Sequence, residues 1–173
     1  MLWALLPVLF LTVILGFTAV ARDLAMVTPP ATPFQVNTAN AAAQIFIIYR
    51  DAVMAYAQQS QNFTGSVGPD NPALNLSTQE IRVLLTANAK ALIGQSDTTG
   101  NDVCVWMQAP AGTVGQVVSL LDGNLTIGTV LAGGASWMQV GYKGTTQSIP
   151  ESCEQGSPLQ ENDIISVAGL GGN

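Results

Sequence analysis

Residues 102–108, Asp102-Val103-Cys104-Val105-Trp106-Met107-Gln108, are where the apolar period of this chain changes from helical to strand-like. Val103, Val105 and Met107 alternate with Cys104 and Trp106. A period of two sends successive side chains to opposite faces of a sheet, so 103–108 is expected to be a strand. The residues before it read as helix or membrane segment, and those after it as short strands separated by turns.

Downstream, Gln116 to Leu121 is expected to form a second strand. Asp122-Gly123 is a type I′ hairpin signal leading into Leu125-Thr126-Ile127-Gly128-Thr129-Val130. Gly133-Gly134 makes the next turn before Ser136-Trp137-Met138-Gln139-Val140-Gly141-Tyr142. Sequential strands with tight turns form an antiparallel meander. Residues 143–162 read as a polar loop carrying Cys153. Ile164 to Val167 adds a last short strand, and Leu170-Gly171-Gly172-Asn173 a soft tail.

Upstream, residues 37–60 read as a long amphipathic helix, capped by Asn37 or Thr38. Ile45, Ile48, Ala52 and Ala55 recur at helical spacing, with Phe46, Tyr49, Val53 and Tyr56 as an adjoining stripe. Arg50 and Asp51 are expected on the opposite side. Residues 61–76 hold turn formers, including Gly68-Pro69-Asp70-Asn71-Pro72. A second helix is expected from Ser77, where Ser77-Thr78-Gln79-Glu80 has the capping-box form. Ile81, Leu84, Leu85, Ala89 and Leu92 would carry its buried face, and Gly94 would end it. Residues 22–36 read as a linker, because Pro29, Pro30 and Pro33 lack the amide donor a helix needs. The expected class is α+β: an N-terminal transmembrane helix, then a long and a short helix packed on an antiparallel meander, a pilin-like head.

Met1 to Ala21 contains no charged side chain. About 20 apolar residues suffice for a helix to cross the hydrocarbon core. The run is longer than a signal-peptide core and has no Lys or Arg before it, which favours an uncleaved anchor. Ala19 and Ala21 have the spacing of a cleavage site, so a signal peptide is the alternative. The domain architecture is thus anchor or signal 1–21, linker 22–36, and an α+β domain 37–173 outside the cytoplasm.

Two cysteines, Cys104 and Cys153, stand far apart and in no metal-ligand spacing. Behind an export-type segment they suggest a disulfide. The alternative is two separate buried thiols. Closing a loop of about 50 residues would contribute on the order of 4 kcal/mol in the chain-entropy model.

Five basic against 11 acidic side chains give a net charge of −6. That provides no basic footprint for nucleic acid. With His 0 in the composition, neither a Ser-His-Asp nor a Cys-His arrangement can form. Asp97 and Asp102 flank a turn that lacks the distal Glu of a calcium loop. Glu151, Glu154, Glu161 and Asp163 read as a solvated acidic loop, although paired carboxylates would suit a glycosidase. Gly112-Thr113-Val114-Gly115 has no following Lys and no expected helix, so it is not read as a phosphate loop. Trp106, Trp137 and Tyr142 on strands read as core. No catalytic residue, cofactor or metal is expected.

The order of parts resembles the PilM family of type IVb (thin) pilus systems, small bacterial inner-membrane proteins. The likeness rests on the amino-terminal apolar segment, on Ile48-Tyr49-Arg50-Asp51-Ala52-Val53 entering the long helix, and on Gln58-Gln59-Ser60-Gln61-Asn62 leading to Phe63-Thr64-Gly65-Ser66-Val67. It implies a component of the pilus basal body or pilin-transport apparatus. Such a protein would act by contact with other pilus-assembly proteins or pilin, as a single-pass inner-membrane protein with a periplasmic domain, and could form a homo-oligomer. A pilin is the near competitor. However, no Lys or Arg precedes Arg22 and no Glu precedes Glu80, so the pilin leader and its early helical Glu are missing. An exported small-ligand binder or hydrolase is the third reading.

Overall fold

The structure, a computed structural model, describes residues 33–76, 85, 88–96, 100–122, 126–140, 145–154 and 158–171. The expected anchor, most of the linker and the capping box at Ser77 and Glu80 lie outside these residues. Among the described residues no helix is long and apolar enough to cross a membrane.

Helix α1 spans Pro33–Gln59, starting four residues before Asn37, so the last residues of the expected linker are helical. Proline at the first helical position costs nothing, because that amide has no partner inside a helix anyway. The buried face runs Ala39, Ala43, Phe46, Tyr49, Arg50, Val53, Ala57. The aromatic stripe is thus the centre of the core, while Ile48 is 42% exposed. Arg50 is on the buried face, contrary to the expectation. It stands four residues after Phe46 and three before Val53, the spacing that stacks side chains on one face. Asp51 does point to solvent.

Among the described residues seven antiparallel strands form one sheet: β1 (Gly65–Ser66), β2 (Ala89–Gln95), β3 (Gly100–Met107), β4 (Ile127–Val130), β5 (Ser136–Gln139), β6 (Thr146–Ser148) and β7 (Ile164–Gly171). Their order is β1-β2-β3-β7-β4-β5-β6. The α+β class and antiparallel sheet are as expected. β4-β5-β6 is a meander, but its third strand, β6, lies in the expected polar loop 143–162, and residues 116–121 do not take part. Other elements differ as well. Residues 89–95 are a strand rather than the end of a helix, because they pair along their whole length with β3, from Ala89 opposite Met107 to Gln95 opposite Asn101. Of the expected second helix, Leu85 and Asn88 are helical. Residues Thr113–Leu120 form helix α2, not a strand. Val114, Val117, Val118 and Leu121 recur at helical spacing, and all four pack into the core. The Asp122-Gly123 hairpin therefore has no first strand to connect, although Asp122 does adopt φ 50°. Finally, the chain's last strand is long and central. β7 pairs with β3 over eight residues, Gly100 to Met107, and with β4 on its other side, and it includes Leu170 and Gly171 of the expected tail.

The sheet buries both faces. On the front, Ala91, Ile93, Val103, Val105, Met107, Ile127 and Ile164 meet α1 and α2. On the back, Leu92, Cys104, Trp106, Val130, Trp137 and Ile165 meet Ile149 and Cys153. The segment covering the back includes a short helix α3 (Glu151–Glu154), where a polar loop was expected. Gly94 allows its close approach, because a methyl group there would overlap Ser152; a methyl group at Gly128 would instead overlap Trp137 and the Met138 backbone of the neighbouring β5.

Candidate functional site

The Cys104 and Cys153 sulfurs are bonded, with Cα atoms 5.9 Å apart and both residues fully buried. The bond fastens α3 to the back of β3. A polar contact stands beside it: Ser152 Oγ donates to Asp102 Oδ2 at 3.1 Å. Asp102 therefore helps to hold α3. Asp97 lies outside the described residues, and among those described no cluster of His, Cys, Asp or Glu could hold a metal ion.

The acidic loop does not behave as one unit. Glu151, Glu154 and Glu161 are exposed, but Asp163 is 5% exposed. Its Oδ2 accepts the Gln160 amide at 2.9 Å, and its own amide donates to the Gln160 carbonyl at 3.1 Å. Burial raises its pKa above the ordinary aspartate value, opposed by the Gln160 hydrogen bond and by Lys90. Its backbone joins the sheet, since Val130 N donates to Asp163 O at 2.9 Å. Asp163 thus locks the turn that leads into β7.

Gly112, at φ 88°, precedes helix α2. A helix does start directly after Gly112 and contains Gly115, contrary to the sequence reading, but the lysine of a phosphate loop is still missing. Trp106 and Trp137 are buried in the back core as expected, and Tyr142 lies outside the described residues.

Arg50, like Asp163, is a buried charged residue that the sequence reading placed in solvent. Its Nε donates to Ser166 Oγ at 2.9 Å across α1 and β7. One terminal nitrogen donates to Asp51 at 2.8 Å and the other points to Thr126 Oγ1 at 3.5 Å. The planar guanidinium thus links α1 to the β4–β7 junction. Tyr49 does the same for the loop after α1, donating its hydroxyl proton to the Val67 carbonyl. Burial, and secondarily the Asp70 charge, raise the pKa of Tyr49 and keep it protonated.

Two of the surface clefts are the roomier ones among those lined by described residues. One, of about 470 Å³, lies between the end of α1 (Gln58, Gln61, Asn62) and the β3–β7 ends (Asn101, Gly171). Asn101 there is buried and donates Nδ2 to the Gln61 carbonyl at 2.8 Å. The other, of about 420 Å³, runs from Thr64 along β2 to Ser152. Both are lined by amides, hydroxyls and backbone together with Ala57 and Leu170 in the first and Leu92 and Ile93 in the second, with Glu151 the one charged side chain among the described lining residues. Amide and hydroxyl groups there can both donate and accept hydrogen bonds.

No curated protein sequence matches this chain. A crystal structure of a PilM protein from Escherichia coli B7A is similar in fold, with a TM-score of 0.53 at 16% identity, covering 82% of this chain and 100% of that one. The PilM family pattern matches residues 13–161, most of the chain, and so this protein belongs to the PilM family.

Proposed function

We propose that this protein is a non-enzymatic component of a type IVb pilus assembly machine that works by binding other pilus proteins. The family match carries this reading, because it runs from residue 13, inside the apolar amino-terminal run, through the folded domain to residue 161, just before β7. In this reading Met1 to Ala21 anchors the chain in the inner membrane and the domain stands in the periplasm. The cysteine bond accords with that compartment, since disulfides persist where the surroundings are oxidising. The anchor confines the domain to the membrane plane and raises its effective concentration near partners. The head, fixed by Arg50 on one face and by the disulfide on the other, presents its polar clefts to them.

Co-purification from cells assembling pili tests this. The expected result is the intact chain, beginning at Met1, in the membrane fraction together with other pilus-assembly proteins. A chain beginning at Arg22 in the soluble fraction, or a membrane chain bound to none of them, overturns it. A long helix over an antiparallel sheet with a carboxyl-side disulfide also fits a pilin-like subunit of the fibre. Recovery of the chain from sheared pili would favour that second reading.

A further inference from the structure

The back of the sheet carries charge at one end. β2, β3 and β7 lie side by side there, and their register sets Lys90 opposite Trp106 and Trp106 opposite Ile165. One step further along, Gln108 N donates to Asn88 O at 3.1 Å, and Asp163 immediately precedes β7. Side chains two residues apart on a strand share a face, so the two rows stack on the back. Asn88, Lys90, Trp106, Gln108 and Asp163, with Gln160, line a cleft of about 100 Å³. That is room for about five or six heavy atoms, the size of glycine or alanine.

The cleft gathers polar groups that the fold leaves unused. Trp106 is 3% exposed and Asp163 5%. Burial this deep normally commits a polar atom to a partner. Asp163 Oδ2 has one in the Gln160 amide. Among the described residues its Oδ1 has none, and neither has Trp106 Nε1. Yet neither atom is sealed inside the protein, because the fully enclosed side-chain atom left without a partner among those described is Trp137 Nε1. Both therefore reach open space, and the cleft is a space that their two side chains share. Lys90 is exposed and has no hydrogen bond or ion pair among the described residues. Its charge is close enough to lower the pKa of Asp163, but the two do not touch. They stand on either side of β3, with their backbones about 10 Å apart.

We propose that this cleft binds a small α-amino acid as its zwitterion. The ligand's carboxylate meets the Lys90 ammonium and the Trp106 indole N–H, and its ammonium meets Asp163 Oδ1. The carboxamides of Asn88, Gln108 and Gln160 donate or accept around it. Charge selects this class of ligand. A lone anion would face the Asp163 carboxylate and a lone cation the Lys90 ammonium, and each such approach is repelled. A molecule bearing both charges on one short frame satisfies the two walls together.

Titration of the full chain with glycine tests this. It is read at the indole N–H resonance of Trp106, which Trp106→Phe identifies among the three tryptophans. Acetate carries the carboxylate of glycine without the ammonium, and methylammonium the reverse. Glycine should shift the resonance saturably, with a Kd at or below about 1 mM. At equal ionic strength it should bind about tenfold or more tightly than either single ion. Lys90→Gln and Asp163→Asn should each weaken glycine binding about tenfold or more, through loss of a charge-assisted hydrogen bond. Lys90 is exposed, so Lys90→Gln should keep the circular dichroism spectrum of wild type and carries the test even where Asp163→Asn is unstable. No saturable shift with glycine overturns the proposal. So does an equal response to acetate or methylammonium, which would make the cleft a site for one ion, and so does glycine binding that Lys90→Gln leaves intact.

Discussion

The two faces of the sheet are buried by opposite means. The front lies under α1, 27 residues long, whose backbone hydrogen bonds are made within itself. The back lies under the segment after β6, which brings Ile149, Cys153 and Leu159 onto it and whose regular structure, among the described residues, is the four-residue helix α3. A helix can cover a face with its own internal order, but an irregular segment has to be tied down. Here the tie is covalent at Cys104–Cys153 and polar at Ser152–Asp102. The front is therefore held by packing and the back by a link.

Cutting into the front should give the largest effect. Phe46 is fully buried beneath α1. Truncating such an aromatic side chain costs about 3–5 kcal/mol through lost burial and the cavity left behind. Phe46→Ala should unfold the domain at markedly lower denaturant than wild type, even with the disulfide intact. If denaturation midpoints barely move, α1 does not carry the front core.

Cutting the back link comes next. Cys104→Ser and Cys153→Ser should each cost about 2–5 kcal/mol. The two losses should match, because each removes the same bond. A reducing agent should lower the melting temperature of wild type and leave both variants unchanged. Unequal losses would mean that one sulfur matters for its packing alone.

Arg50 sharpens the comparison, because it is a polar fixture inside the face that packing holds. Arg50→Ala leaves Ser166 buried without its donor and should cost about 1–3 kcal/mol. Asp51 is another matter. Its side chain is 57% exposed, so Asp51→Asn should cost about 0.2–1 kcal/mol in chemical denaturation. Equal effects would place the value of Arg50 in its surface ion pair instead of in its bond to β7.

How much of this could be read from the sequence depended on how local the deciding force was. The period of two at Val103–Met107 and the aromatic stripe of α1 are local patterns, and both appear where expected. Gly133 and Gly134 also turn the chain, at φ 91° and 73°. Residues 113–121 were legible but misread: valines favour strands in general, yet Val114, Val117, Val118 and Leu121 already lay at helical spacing. Arg50 was likewise legible from its place between Phe46 and Val53, and was hidden only by the expectation that charge faces water. Ala89–Gln95 was not legible. Its Ala, Lys and Leu favour helix, and strand pairing with β3 overrides that preference. Nor was the central place of β7, because its glycines weaken the local signal and its two neighbours come from far away in the chain. The meeting of Lys90, Trp106 and Asp163 at one cleft needed the strand order, which no local pattern contains.

Asp163 gives the smallest effect and tests the junction of the two faces. It sits in the turn before β7, with its carboxylate on the Gln160 amide and its carbonyl on Val130. Burial raises its folded pKa above the unfolded value of 3.8, against the pull of the Gln160 bond and Lys90. In that window the folded state holds more protons than the unfolded chain, so stability must fall as pH rises. Its contribution is fully present below the unfolded pKa and is lost as pH climbs through the folded one. Asp163→Asn keeps an oxygen for the Gln160 amide but cannot ionise. Denaturation of the two proteins across mildly acidic pH should show wild type losing stability relative to Asp163→Asn as pH rises. A difference that stays constant with pH would mean that the carboxylate is as well solvated in the fold as in the unfolded chain, and that only the hydrogen bond to Gln160 holds this turn.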